Sequence, residues 1–286
     1  MTTTTTDSDR YANDAAAREA GRDVRAVFFD IDGTLTSFTT HEVPPSTIDA
    51  LDALRAKGIR IYICTGRSPE QMKVVLDALP IRFDGIAAVN GQICYRSDGT
   101  IVADRPIDEE DVRVIVGWLD RHPDVVAVFG ERDTAYFNHD SARMRAMWQS
   151  LGKTAPKLRF IDPHTRIGDH RIYQISPYVG RDDEHAIVGE CRNVRGVRWH
   201  PDFVDLIPAS GGKDRGIEAL LSDAGLTREQ SMAFGDGGND VDMLRYAHIG
   251  VAMGNGTDDA KAAADYVTRS VDDDGVVRAL RHFGVL

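Results

Sequence analysis

The chain has 286 residues, 42% hydrophobic and 28% charged, an ordinary globular profile with enough length for one large domain or two smaller ones. Its formal net charge of -11 argues against broad binding to nucleic acid or anionic membranes, which want a basic face. No apolar stretch approaches the roughly 20 residues of a membrane span, and the threonine-rich start lacks the apolar core of a secretory signal.

Residues 1–22 read as a mobile N-terminal tail, with a loose helical turn in the alanine-rich part. Val24 and then Ala26 to Phe29 form an apolar run of the kind buried in a parallel sheet, and it ends in Asp30-Ile31-Asp32-Gly33-Thr34. Pro44-Pro45-Ser46 introduces a helix, with Ser46 as the expected N-cap and Gly58 closing it. Residues 59–65 read as a second strand stopped by Gly66. Ser68-Pro69 opens another helix with proline in its first turn, and residues 85–89 read as a third strand ending at Asn90-Gly91. This β-α-β-α-β order predicts an α/β fold with a Rossmann-like parallel sheet.

The same rhythm returns late in the chain. It runs as helix 213–224, strand 231–234, helix 239–246, strand 248–251, helix 258–264, strand 266–268 and helix 276–283. Between them, residues 92–203 are more polar and mix strand-like pieces (125–129, 171–175, 194–199) with helix-like ones. More than 100 residues cannot be one loop, since loops beyond roughly 12–15 residues are already uncommon. The middle therefore reads as an inserted α+β domain, between core segments 23–91 and 204–286.

Several polar residues fall where predicted strands stop: Asp30, Asp32, Thr65 and Asp236. In an open parallel sheet the carboxyl ends of the strands share one edge, where ligands bind. Three carboxylates, a hydroxyl and glycine-rich turns there suggest a hard cation with oxygen ligands, and magnesium with a phosphate group fits. Lys213 follows Ser210-Gly211-Gly212 at a helix start and can add positive charge to the same edge.

These motifs resemble the haloacid dehalogenase-like (HAD) phosphatases, in particular the Cof-type branch with a large inserted cap. The resemblance rests on Asp30-Ile31-Asp32-Gly33-Thr34, Thr65-Gly66-Arg67, Lys213 and Gly235-Asp236-Gly237-Gly238-Asn239-Asp240, in that order. Asn90-Gly91 and Val251-Ala252-Met253-Gly254-Asn255 support it. It implies that Asp30 is the nucleophile and Asp32 the general acid and base. It implies that magnesium is held by Asp30, the Asp32 carbonyl and Asp236. Thr65, the Gly66 amide, Lys213 and Asn239 would then meet the phosphate, with Asp240 orienting Lys213 or a water. The implied protein is a cytoplasmic monomer or homodimer acting on a small phosphorylated metabolite, with no nucleic-acid or membrane partner. Sugar phosphates, flavin mononucleotide, pyridoxal phosphate and nucleotides are all open as substrates.

Rival readings are weaker. A calcium loop starting at Asp30 would place Leu35 at its glycine and His41 at its glutamate. A P-loop around Gly212-Lys213 would need glycine at Ile207 and a hydroxyl at Asp214. No Gly-x-Ser-x-Gly elbow exists, and the histidines lack a metalloprotease spacing. The three scattered cysteines, Cys64, Cys94 and Cys191, argue against a disulfide framework and fit a reducing compartment. Arg67 reads first as a solvated helix-start residue, and the resemblance makes it a candidate substrate contact. Arg96, Arg132, His139, Tyr178 and His200 are candidates for reading the leaving group. Two alternatives stay open: a phosphomutase or phosphotransferase on the same core, and a non-catalytic phospholigand-binding regulator.

Overall fold

The computed structural model describes residue 11 and residues 13–286. The chain opens with α1 (Asp14–Gly21). It continues through β1 (Ala26–Phe29), α2 (Pro45–Ala56), β2 (Arg60–Cys64), α3 (Pro69–Leu76), β3 (Gly85–Ala88), β4 (Ile93–Arg96) and β5 (Ile101–Asp104). The inserted domain holds α4 (Glu109–Arg121), β6 (Ala127–Glu131), β7 (Ala135–Phe137), α5 (Ala142–Ser150), β8 (Ile172–Pro177), α6 (Arg181–Glu190), β9 (Val194–His200) and β10 (Phe203–Pro208). The core resumes with α7 (Lys213–Ala224), β11 (Ser231–Gly235), α8 (Val241–Tyr246), β12 (Ile249–Ala252), α9 (Asp258–Ala263), β13 (Tyr266–Val267) and α10 (Gly275–His282).

The core sheet has strand order β13-β12-β11-β1-β2-β3-β4-β5. Its first six strands run parallel, and β4 and β5 turn back antiparallel at one edge. All four residues of β1 are buried, because helices cover both faces of the sheet. Apolar clusters on the two faces are built around Phe29, Ile61 and Phe234 on one side and Phe28, Tyr62 and Ile217 on the other. The chain order reverses at β1, between β11 and β2, so the Asp30 turn lies at the switch point where such sheets bind ligands.

Three expectations are corrected. The tail expected over residues 1–22 contains helix α1, whose Ala17 is fully buried. It docks on α10, with His282 bonded to the Tyr11 carbonyl and the Tyr11 ring edge-on to Phe283. The rest of that segment, residues 1–10 and 12, lies outside the described residues. The insertion begins after β5 rather than at residue 92, because β4 and β5 complete the core sheet. It ends after β10 rather than at 203, because β10 pairs with β8 and β9. Ser46 does not cap α2: Pro44 holds that place, and the Ser46 hydroxyl donates to Asp274 across 2.5 Å. Ser68, by contrast, does cap α3, in a capping box with Gln71.

The inserted domain is an antiparallel sheet in the order β7-β6-β8-β10-β9. Side chains alternate along its strands. Phe129, Ile175, Val204 and Leu206 face α4 and α6 in one apolar cluster. Val128, Gln174, Ser176, Phe203 and Asp205 lie on the opposite face, lining a cavity of about 500 Å³ shared with the core sheet edge. The insertion thus forms a cap over the carboxyl ends of the core strands.

Candidate active site

Asp30 follows β1 directly, and Asp236 follows β11, its parallel neighbour. Gly33 makes their approach possible: its φ is +85°, and a Cβ there would stand 2.2 Å from Asp236 Oδ2. Thr34 fixes Asp236 by donating from Oγ1 to Oδ1 at 3.0 Å.

Lys213 begins α7 and is fully buried. Its ammonium bridges Asp30 Oδ1 at 2.7 Å and Asp240 Oδ1 at 2.5 Å. Asp240 is held in turn by its other oxygen, which accepts from the amides of Asp236 at 2.9 Å and Gly237 at 2.8 Å. Burial opposes charge on Lys213, but Asp240 and Asp30 outweigh it and raise its pKa. Burial raises Asp30 to about 7 despite Lys213. Asp236 is pushed well above the carboxylate range by burial, by Asp240 and by Asp30. Three acids thus crowd one desolvated site around a single ammonium, which contacts Asp30 and Asp240, so that full ionisation of all three is disfavoured until another cation joins them.

Carboxylate oxygens of Asp30, Asp236 and Asp240 lie within 4.8 Å of one another, a spacing that could hold a metal ion. Asp240 uses both oxygens on protein partners, while Asp30 Oδ2 and Asp236 Oδ2 accept no hydrogen bond among the described residues. Hard oxygen donors at this spacing, short of a cation that would let all three ionise, fit an ion such as magnesium.

Thr65, at the end of β2, accepts from the Arg67 amide at 3.1 Å, which leaves its hydroxyl proton free. Asn239 donates to Asn90 Oδ1 at 3.1 Å, and both Thr65 and Asn239 line the cavity. Asn90 sits in a left-handed turn, φ 46° at Val89 and 55° at Asn90. A β-branched residue adopts that conformation only under constraint. Here the amides of Val89 and Asn90 are tied to the carbonyls of Arg67 and Thr65. Gly91 completes the turn, at φ +84°, where a Cβ would stand 2.2 Å from the Gly212 carbonyl. The close approach seats the loop against the start of α7.

Arg67 corrects the sequence reading. It is not solvated but 8% exposed, and its guanidinium grips Asp32 with two hydrogen bonds of 2.7 Å. Its remaining nitrogen donates to the Thr154 carbonyl of the cap at 2.7 Å and to the Gln71 carbonyl at 3.2 Å. One residue therefore orients the second carboxylate of the Asp30-Ile31-Asp32 pair and fastens the cap beside it.

Sequence reasoning missed a second network, across the seam between core and cap. Asp205 is buried, accepting from Ser176 at 2.7 Å and Asn90 at 3.0 Å, while Asn90 also donates to Gln174 at 2.8 Å. Burial raises Asp205 to about 6 against those hydrogen bonds. The available signal was a lone charge inside the apolar strand Phe203–Pro208. Of the five residues offered as readers of the leaving group, Tyr178 and His200 line the cavity. His139 does not, while Arg96 and Arg132 line a separate groove, where Arg96 pairs with Asp223.

Comparisons with known proteins identify the family and the fold. A family model described as haloacid dehalogenase-like hydrolase matches residues 27–280. The Bacillus subtilis protein named "Putative phosphatase YkrA" is 30% identical over 266 residues, 92% of this chain and 99% of the relative. Among solved structures, the HAD subclass IIB sugar phosphatase BT4131 superposes with a TM-score of 0.84 at 34% identity, covering 92% of this chain and 100% of that one. The HAD phosphatase BT1666 from Bacteroides thetaiotaomicron gives 0.80 at 32%, covering 92% and 96%. With a matched family model, a shared fold and a charged cleft at the switch point, this chain belongs to the haloacid dehalogenase-like hydrolases, Cof-type, and is a phosphatase-class enzyme.

Proposed function

We propose that the protein is a magnesium-dependent phosphatase that hydrolyses a small phosphorylated metabolite through an aspartyl-phosphate on Asp30. The observation that carries this reading is the buried Lys213 bridge, which holds Asp30 by Oδ1 and leaves Oδ2 free at the cavity. A carboxylate is a weak nucleophile, so its fixed direction toward phosphorus matters.

Asp30, Asp236 and the Asp32 carbonyl would hold the cation. When bound, it offsets the repulsion between Asp30 and a dianionic phosphate and polarises the phosphoryl oxygens. Thr65, the Gly66 amide, Lys213 and Asn239 bind the equatorial oxygens, where transition-state charge collects. Asp30 Oδ2 attacks phosphorus and the ester P–O bond breaks. Asp32 gives its proton to the leaving alcohol. Asp32 then takes a proton from water, which attacks phosphorus, releases inorganic phosphate and frees Asp30. Arg67 holds both oxygens of the Asp32 carboxylate at the cavity wall, so one of these bonds opens when Asp32 carries its proton, and the cap excludes bulk water.

The test is phosphate release from an aryl phosphate with added magnesium. Chelation should abolish it and Asp30→Asn should remove it with the circular dichroism spectrum unchanged. Turnover by that variant overturns the nucleophile, and turnover that survives chelation overturns the cation site. Glucose phosphates offered as acceptors report any transfer to a hydroxyl instead of water.

A further inference from the structure

The cap side of the cavity contrasts with the core side in a way that bears on the substrate. Its wall is Met147, Trp148 and Leu151 from α5 and its end, with Tyr178, Trp199 and Phe203 from the cap sheet and its turns. These rings brace one another. Trp199 meets Phe203 edge-on at 5.1 Å, Tyr178 lies 5.1 Å from Phe203, and Trp148 stands edge-on to Phe137 at 5.0 Å. The Trp148 indole N–H is taken by the Pro156 carbonyl at 2.7 Å, so this side chain offers the cavity ring surface and not a donor.

Two polar side chains on the same side, Ser176 and Gln174, already have protein partners. Ser176 donates to Asp205, and Gln174 bonds Asn90, Ser176 and the Gly66 carbonyl. A polyol reaching Ser176 or Gln174 would have to displace bonds of a buried network, which costs more than it returns unless each bond is replaced. Positive charge is scarce too. Of the cavity residues, the arginine is Arg67, committed to Asp32 and Thr154, and the histidine is His200, whose ring stacks on Phe203 and whose pKa is lowered by burial. Among the described residues of this wall, none would balance a second phosphate or a carboxylate on the leaving group.

Resting on the phosphatase reading above, we infer that the enzyme selects monophosphate esters whose alcohol carries a flat, uncharged, largely apolar ring, in preference to sugar phosphates and bisphosphates. The phosphate end takes the charged core edge, and the ring lies against the Trp148, Tyr178 and Phe203 wall. A cavity of about 500 Å³ accommodates a phosphate with one or two fused rings.

Naphthylmethylphosphonate and the phosphonate analogue of glucose 6-phosphate share a non-hydrolysable head and differ in the group the wall meets. Calorimetric titration of the full chain with magnesium should show the naphthylmethyl compound binding at least about tenfold tighter, the factor supplied by burying roughly 55 Å² of ring surface. The two matching esters, both of primary alcohols and so close in leaving-group strength, should show the same ratio in kcat/KM, carried by KM. Trp148→Ala should cut both ratios by about fivefold, and the wild-type ratio stands without that variant if it fails to fold. Equal or tighter binding of the glucose analogue overturns the inference, as does no binding of the naphthylmethyl compound. Tight naphthylmethyl binding with no phosphate release from either ester supports the inference and overturns the hydrolase reading instead.

Discussion

On the core side of the cleft, Lys213, Asp30 and Asp240 are buried and joined by short ionic hydrogen bonds. On the cap side, Trp148, Tyr178 and Phe203 turn ring surface to the same space. The first wall is costly to desolvate and holds its charges in fixed directions, which suits a step where charge moves. The second gains from burying apolar area and has little directional demand, which suits selection of one leaving group over another. On the proposed reading chemistry and selection sit on different elements, and the two walls touch at Arg67, which holds Asp32 of the core and Thr154 of the cap. The Asn90, Gln174, Ser176 and Asp205 network crosses the same seam.

The comparison breaks most visibly if the core charges are unbalanced. Lys213→Met leaves Asp30 and Asp240 buried without their cation. Denaturant unfolding of the metal-free protein at pH 8 should show a loss of about 3–5 kcal/mol. The loss should be smaller at pH 5.5, where an orphaned carboxylate can protonate. An unchanged stability would mean that the three carboxylates are better hydrated than their burial implies.

The seam comes next. Arg67→Ala frees Asp32 and releases the Thr154 carbonyl, so kcat should fall by roughly 100-fold, the scale expected when a proton-transfer group loses its orientation. The fall should appear for every ester alike, because Arg67 orients the acid and does not touch the ring wall. A change confined to KM would reassign Arg67 to substrate binding.

Magnesium should act on the core wall with a defined pH sign. Asp30 lies at about 7 in the folded metal-free chain, against 3.8 for an ordinary aspartate. Between those values the folded chain keeps a proton that the unfolded chain has released. Metal-free stability therefore falls as pH rises across that window. A cation that replaces the proton removes the penalty, so the rise in Tm on adding magnesium should be larger at pH 8 than at pH 5.5. At a hundredfold excess over Kd the gain is about 2.7 kcal/mol. Equal gains at both pH values would place the cation away from Asp30.

The smallest effect belongs to the exposed end of the seam. Lys153 of the cap pairs with Glu42 of the core, and both side chains are mostly in solvent. Lys153→Ala should leave Tm and kcat/KM within assay error, since exposed pairs are screened and lose side-chain freedom on forming. A measurable drop in kcat would show that cap docking depends on this contact as well as on Arg67.

Much of the core was legible because it is periodic and punctuated. β1, β2 and β11 are continuous apolar runs ended by Asp30, Thr65 and Asp236, and Ser68-Pro69 opens α3 as its capping chemistry requires. The motif order placed Asp30, Thr65, Lys213 and Asp236 at one sheet edge. The misreadings have physical causes. β4 and β5 are four residues each, too short for periodicity to separate from the insertion that follows. An arginine at a helix start looks solvated until its carboxylate partner is known, and Asp32 lies 35 residues away. The α1 helix is alanine-rich and marginal alone, and it is fixed by packing on α10 at the other end of the chain.

By itself, the sequence determined the parallel core, the insertion and the residue types gathered at the strand ends, because these follow from local hydrophobic period, turn residues and strand polarity. Only the tertiary structure decided that both Asp240 oxygens are taken by Lys213 and backbone amides while Asp236 keeps Oδ2 unbonded, that Arg67 ties Asp32 to the cap, and that the cap presents rings to the site. Each of those facts depends on which oxygen or face is already occupied by a residue distant in the chain.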